Sequence, residues 1–332
     1  MGESAAGVTV RTFRPEDEES LLRLLIAAFG RWPGREVTVS PAEHLHWKLR
    51  SSDEALRGHT VAEVRGSIIG CRLFRYLGGY AEGRPVRACR GFDAAVHPDF
   101  RGRGVMTRLR DLALERHRAS MDIQLGGYSR IEAMIQVHAS EERYPFGNRI
   151  EVLERLAGAA RPREQAGWAI TAPARFDEGI DAFWEQARKQ FDFIITRDRS
   201  VLNWRYCDVR GGSFLVRTVD EGGAIVAYIA YKRERAKGYI ADLLALPGRE
   251  DALEALVGEA LRHFDSEGAS AVRCWLPSRH PYRDVLAGHG FTRRRIEKSL
   301  RWGPLRTPAS ELAMLADPQA AIHLTMGDSD LI

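Results

Sequence analysis

Arg101-Gly102-Arg103-Gly104 is the stretch of this 332-residue chain best suited to hold an anion. An apolar run from Phe92 to Val96, with one aspartate, leads through Pro98 into it, and Leu109, Leu112 and Leu114 follow with charges between them. A buried strand thus passes through a glycine loop straight into a helix. The first amides of a helix have no partner within it and lie at the positive end of its dipole, and glycine lets a ligand approach them. A phosphate is the expected guest. The plain alternative is a surface turn that caps a helix.

Asp93, three residues before Val96, is the carboxylate nearest the loop. Other polar side chains that could do chemistry nearby in sequence are Glu82 in GGYAEGRP, Glu132 in RIEAMI, His138 after MIQV, and Tyr144. For Glu82 and Glu132 the simple reading is a solvated charge, and for His138 a core or strand-end histidine.

The elements that position these residues occur twice. HLHWKL (44 to 49) and VLNWRY (201 to 206) carry central tryptophans, Trp47 and Trp204. Twenty-two residues later come Ile69 and Val226, each in a segment patterned as a hairpin with a Gly turn, at Arg65-Gly66 and at Glu221-Gly222-Gly223. Upstream, 15–29 and 173–187 have the pattern of capped amphipathic helices. Downstream, DAAVHP (93 to 98) matches DLLALP (242 to 247), each followed by a helix. These matches predict two copies of one α/β unit, with domains at 1–157 and 169–332 and a linker at 158–168. The tryptophans recur among apolar neighbours and are expected to pack in the core.

The copies differ after the proline. The second has Gly-Arg-Glu250-Asp251 where the first has its glycine loop. Two carboxylates at a helix N-terminus satisfy the dipole and repel a phosphate. Asp242, the counterpart of Asp93, persists in that copy, which speaks for a structural task at this position.

Composition bounds the rest. With 44% apolar and 28% charged residues the chain has globular character. No run of 18 apolar residues predicts a membrane span, and the start lacks a secretory pattern. Four scattered cysteines (71, 89, 207, 274) without a CxxC predict reduced thiols, no metal site and a cytoplasmic setting. The net charge is +4, only five of the 49 basic residues are lysine, and no dense basic run interleaves with aromatics. Nucleic-acid binding is not expected.

A strand with V-x-P, then R-x-x-G, then a helix resembles the GCN5-related N-acetyltransferase (GNAT) family, in a tandem two-unit form. The family's loop consensus is Gln/Arg-x-x-Gly-x-Gly/Ala, and Met106 departs from its last position. The resemblance implies a mixed, splayed sheet flanked by helices in each unit. It implies acetyl-CoA as co-substrate and no metal. Ala94, Ala95 and Val96 would pair with the pantetheine arm. Gly102, Gly104, Val105, Met106 and Thr107 would hold the pyrophosphate with Arg101 and Arg103 beside them.

It further implies acyl transfer to a small primary amine by direct attack in a ternary complex. The Val96 N–H would face the developing oxyanion, Asp93 is a candidate base, and a tyrosine would protonate the thiolate. In the family that tyrosine stands in a Y-x-x-F-G-F-like segment; Tyr144-Pro145-Phe146-Gly147-Asn148 is one residue short and interrupted by proline. Three alternatives stay open: transfer to a hydroxyl, transfer of a larger acyl group, or a coenzyme-binding scaffold without turnover. The tail's Asp328 and Asp330 are expected as a solvated terminus, or else as acids that attract a cationic acceptor.

Overall fold

A computed structural model describes residues 7–126, 146–159 and 167–329. These fold as two compact units. One holds residues 7–78, 86–126 and 301–311, and the other holds 79–85, 146–159, 167–300 and 312–329.

In the first unit, β1 (Thr9–Thr12), β2 (Thr60–Val64), β3 (Ser67–Ala81), β4 (Arg84–Val96) and β5 (Ile123–Leu125) lie side by side in chain order. The β1–β2 and β2–β3 pairs are antiparallel, with Val61 opposite Cys71. The β4–β5 pair is parallel, with Ala88 opposite Ile123, and Trp302–Pro304 adds an antiparallel edge to β5. The sheet is therefore mixed.

Among the described residues the helices that accompany it are α1 (Glu18–Phe29), α2 (Pro41–Leu49), α3 (Asp53–Gly58) and α4 (Val105–Ser120). Helix α1 buries Leu21, Leu24 and Leu25, spaced to fall on one face. Burial of such a leucine contributes about 2 kcal/mol. Helix α2 begins with a reciprocal cap: the Glu43 N–H donates to Ser40 Oγ, and the Glu43 carboxylate accepts from the Ser40 N–H at 2.9 Å. Helix α4 sets Val105 and Leu109 against Val8, Ala62 and Ile69. Gly70 makes this closeness possible, since a Cβ there would lie 2.9 Å from Val105 Cγ1 and 3.1 Å from Leu109 Cδ1.

The second unit holds β6 (Phe146–Leu156), β7 (Ile170–Thr171), β8 (Phe193–Ile195), β9 (Leu215–Glu221), β10 (Ala224–Glu234), β11 (Lys237–Ala245), β12 (Ala271–Pro277), most of β13 (Thr292–Pro304) and β14 (Ile322–His323). Its sheet runs β7-β9-β10-β11-β12-β6-β13. Here too one central pair, β11–β12, is parallel, while β9–β10, β10–β11 and β12–β6 are antiparallel. The helices are α5 (Gly179–Ala187), α6 (Arg199–Leu202, continued by a wider turn over Asn203–Cys207), α7 (Glu250–Ser266) and α8 (Arg283–Gly288).

Both units present the same succession: amphipathic helix, tryptophan-bearing helix, hairpin, third strand, long helix. The His97 N–H donates to Ile69 O at 2.8 Å, and the Leu246 N–H donates to Val226 O at 2.8 Å. The two acceptors are the residues 22 positions after Trp47 and Trp204. Trp47 is buried and Trp204 half-buried.

The units do not divide the chain at a single point. Strand β6 lies before the expected boundary at 157, yet from Ile150 to Leu156 it pairs with β12 of the second unit. Linker composition marks where the chain leaves a strand; hydrogen bonding decides which sheet the strand joins. Among the described residues no helix is long and apolar enough to cross a membrane. Cys71, Cys89 and Cys274 are buried free thiols and Cys207 a half-buried one.

Two buried histidines in the first unit carry a pH consequence. The His59 Nδ1 accepts the Phe74 N–H at 3.1 Å, which leaves its Nε2–H to donate to Leu49 O at 3.1 Å. Burial pushes its pKa down to about 4. His117 packs edge-on against Phe74, neither ring nitrogen has a hydrogen-bond partner among the described residues, and burial pushes its pKa down to about 3. The unfolded chain takes up these protons near pH 6.5, so stability is full above that pH and falls as the pH drops toward the folded values. At pH 5 each histidine removes about 2 kcal/mol relative to pH 7. Urea unfolding at both pH values checks this, and His117→Leu is expected to shrink the pH difference by about the 2 kcal/mol assigned to that ring.

Candidate functional site

Strand β4 supplies the first half of the site. Its parallel pairing with β5 covers Ala88–Ile123, Cys89–Gln124 and Arg90–Leu125, and goes no further among the described residues. Three residues beyond Arg90, Asp93 has φ +39°, a left-handed conformation that aspartate tolerates better than most side chains. The strand bends there. After the bend Ala94 faces solvent, Ala95 is buried and Val96 is half-buried. The bend at Asp93 thus leads the strand from its paired stretch toward the glycine loop.

A buried ion pair holds the bend. The Lys48 Nζ donates to Asp93 Oδ2 at 2.6 Å, and the Trp32 Nε1–H donates to the same oxygen at 3.0 Å. The Lys48 side chain is only 4% exposed and that of Asp93 16%. The ammonium also lies 4.7 Å from the Phe92 ring centre and 5.7 Å from that of Trp32, where the ring faces favour a cation. From the other side, Cys71 Sγ donates to the backbone oxygen of Asp93 at 3.3 Å. This geometry fits an aspartate that fixes the backbone. A general base needs an oxygen directed at its substrate, and Oδ2 of Asp93 already accepts from a cation and an indole.

The glycine loop supplies the second half. Gly102 has φ +75° and Gly104 φ +72°, and a Cβ built on either meets no heavy atom within 4 Å. The first helical bond of α4 runs from the Arg108 N–H to Gly104 O, so the amides of Gly104 to Thr107 point out of the helix end. No acidic residue stands in that first turn. Val105 is buried, its side chain packed under the helix while its N–H stands free of the helix's own bonds. Met106 is half-buried and Thr107 exposed.

The two loop arginines part company. Arg101 turns back, its Nε donating to Val96 O at 3.2 Å and its Nη2 to Ala28 O at 3.3 Å. It therefore braces the strand exit. Arg103 is exposed, with its guanidinium 5.3 Å from the Phe100 ring centre. It is the better placed of the two to meet a phosphate oxygen.

In the second unit Asp242 again lies three residues past the last parallel pair, Tyr239–Arg273. It too meets a buried cation: Arg197 Nε donates to its Oδ2 at 3.0 Å, joined by the hydroxyls of Tyr228 at 2.9 Å and Tyr206 at 3.2 Å. Burial alone would raise the Asp242 pKa; the Arg197 guanidinium outweighs it and holds the carboxyl well below its usual range. The first turn of α7 carries Glu250 and Asp251, and Asp251 accepts from the Trp168 indole at 3.1 Å.

Of the remaining candidates, Glu82 sits in a turn with an exposed side chain near Arg84. Glu132, His138, Tyr144 and Asp330 lie outside the described residues. Asp328 is no solvated tail residue; it is buried and accepts from Arg197 at 2.6 Å. Among the described residues no group of three His, Cys, Asp or Glu side chains could hold a metal ion. Sequence reasoning missed Lys48 and Trp32. A signal existed for Lys48, since it follows the repeated tryptophan as Arg205 follows Trp204.

Residues 19–140 match the model of the acetyltransferase (GNAT) family. This segment is a GNAT domain. It contains the bend of β4 at Asp93, the ion pair and the glycine loop. No curated protein matches the chain significantly in sequence. Solved structures show where the whole fold recurs. A GCN5-related N-acetyltransferase from Kribbella flavida superposes with a TM-score of 0.62 at 17% identity, over 90% of this chain and 71% of that one. One from Anabaena variabilis gives 0.66 at 13%, over 93% and 75%. Saccharomyces cerevisiae N-myristoyltransferase with bound myristoyl-CoA gives 0.61 at 11%, over 92% and 80%. At such identities the likeness is one of fold.

The ion pair of the GNAT domain makes a stability prediction. Asp93→Asn or Lys48→Met alone leaves a mostly buried partner without its counter-charge and is expected to cost about 3 kcal/mol. The double variant Lys48→Met/Asp93→Asn is expected to recover at least half of the summed loss. A double-mutant cycle by chemical denaturation measures this, and additive losses would contradict the pairing.

Proposed function

We propose that the chain is an acyl-CoA-dependent N-acyltransferase that transfers an acyl group, acetyl in the first instance, to a small primary amine. The observation that carries this reading is the open glycine loop at the start of α4, reached from β4 through the bend at Asp93. That pair of features suits a ligand with a pyrophosphate at one end and an amide-bearing arm at the other. The loop amides of residues 102 to 107, with Arg103, would take the pyrophosphate. The edge of Ala94 to Val96 would take the arm, with Arg101 bracing its exit.

Attack by an amine on the thioester would then proceed directly between two bound substrates. The C–N bond forms as negative charge builds on the carbonyl oxygen, which the Val96 N–H is assigned to stabilise. Collapse breaks the C–S bond; the attacking nitrogen sheds its proton to water, and Tyr144 is the residue we assign to protonate the thiolate. Asp93 serves by holding the bend that aims Val96. Glu250 and Asp251 support a single coenzyme site, because they put negative charge where the second unit would need an anion. Buried free thiols suit a reducing, cytoplasmic setting.

Calorimetric titration of acetyl-CoA tests the reading. One site per chain is expected, with affinity lowered roughly tenfold or more by Gly104→Asp, which sets a carboxylate among the loop amides. Two sites would remove the special place given to the first loop. Transfer to any member of an amine panel, assayed with acetyl-CoA and a longer acyl-CoA, separates an enzyme from a scaffold and sets the acyl length.

A further inference from the structure

In the second unit β11 and β12 part after Tyr239 and Arg273, although both strands continue, to Ala245 and Pro277. The gap that opens between two diverging parallel strands exposes backbone polar groups, which need partners. Here they have a neighbour from the same chain. The segment Thr325 to Ser329, with its short turn Met326–Asp328, packs against both strands.

Its contacts are specific. The Arg205 Nε donates to Gly327 O at 3.0 Å. A Cβ on Gly327 would lie 1.7 Å from the Tyr206 hydroxyl and 3.1 Å from Ala241 O, so only glycine fits against the strand there. Thr325 Oγ1 donates to Asp242 Oδ1 at 3.2 Å, and the Thr325 N–H donates to Asp328 Oδ2 at 2.9 Å. Arg197 spans Asp242 and Asp328, at 3.0 and 2.6 Å, and all three side chains are at least 94% buried.

The residues just before the segment are tied to the same aspartate. The His280 Nδ1 accepts the Tyr282 N–H at 3.2 Å, so its Nε2–H donates to His323 Nδ1 at 2.8 Å, and His323 Nε2 faces Asp242 Oδ1 at 3.4 Å.

We infer that the parting of β11 and β12 is a peptide-binding slot, whose ligand is the chain's own Thr-Met-Gly-Asp-Ser segment, read by Arg197, Arg205 and the cleft that admits only Gly327. This inference stands on strand geometry and buried contacts and does not depend on the coenzyme reading.

A nick made after folding tests it. The residues Asp317 to Gln319 are exposed and accept a site-specific protease sequence in the full-length protein. The cut protein is analysed by gel filtration and native mass spectrometry without any coenzyme. The fragment that carries residues 320 onward is expected to stay bound, and a labelled synthetic peptide of the same sequence is expected to replace it on exchange. Asp328→Asn in the peptide is expected to weaken binding roughly tenfold or more. Departure of the fragment on cutting, with the rest still folded by circular dichroism, would overturn the inference. So would equal binding of the Asn peptide, since recognition would then not pass through Arg197.

Discussion

A buried ion pair, set three residues past the last described rung of a parallel pair of strands, fixes the terms for everything else in each unit. Parallel strands are ordinarily covered on both faces and bonded along both edges. To open such a pair mid-sheet, the chain must fix a bend and find new partners for the groups it frees. Both units fix the bend alike, with an aspartate three residues past the last pair and a cation brought to it from a helical segment or loop of the same unit. The desolvation cost of that arrangement is large, and it is offset only where further hydrogen bonds complete the carboxylate. Trp32 does this for Asp93, and Tyr206, Tyr228 and Thr325 do it for Asp242.

What differs between the units is the end of the long helix and what lies beside the strands. The first unit has no acidic residue in the first turn of α4, so the free amides there favour an anion. The second places Glu250 and Asp251 at the start of α7, where side chains complement the dipole, and sets the Thr325–Ser329 segment against β11 and β12. A few residues thus change the charge that the same frame presents at its helix end.

Much of this was legible in the sequence. The hairpins, the paired tryptophans and the strand-proline-helix transitions follow from local pattern, and the contrast between Gly104 and Glu250-Asp251 follows from charge alone. The ion pairs were not legible, because Lys48 and Asp93 are 45 residues apart and nothing local links them. Arg101 was legible as a loop cation but not as a brace, since its carbonyl acceptors belong to the fold. The tail misled for a related reason. Two acids near a terminus have the composition of a solvated end, and only Arg197, 131 residues away, makes Asp328 a core residue.

Strand β5 ends the first unit's consecutive run of strands, and its outer edge is covered by Trp302–Pro304. Trp302 follows its partner Leu125 by 177 positions in the sequence. During translation the first unit therefore waits with an open edge, a state prone to pairing with other chains. Trp302, fully buried once in place, leaves the ribosome long after the strand it covers. The protein's order of synthesis thus separates the closure of its first sheet from the making of its other strands, and makes the yield of folded protein sensitive to how long that edge stays bare.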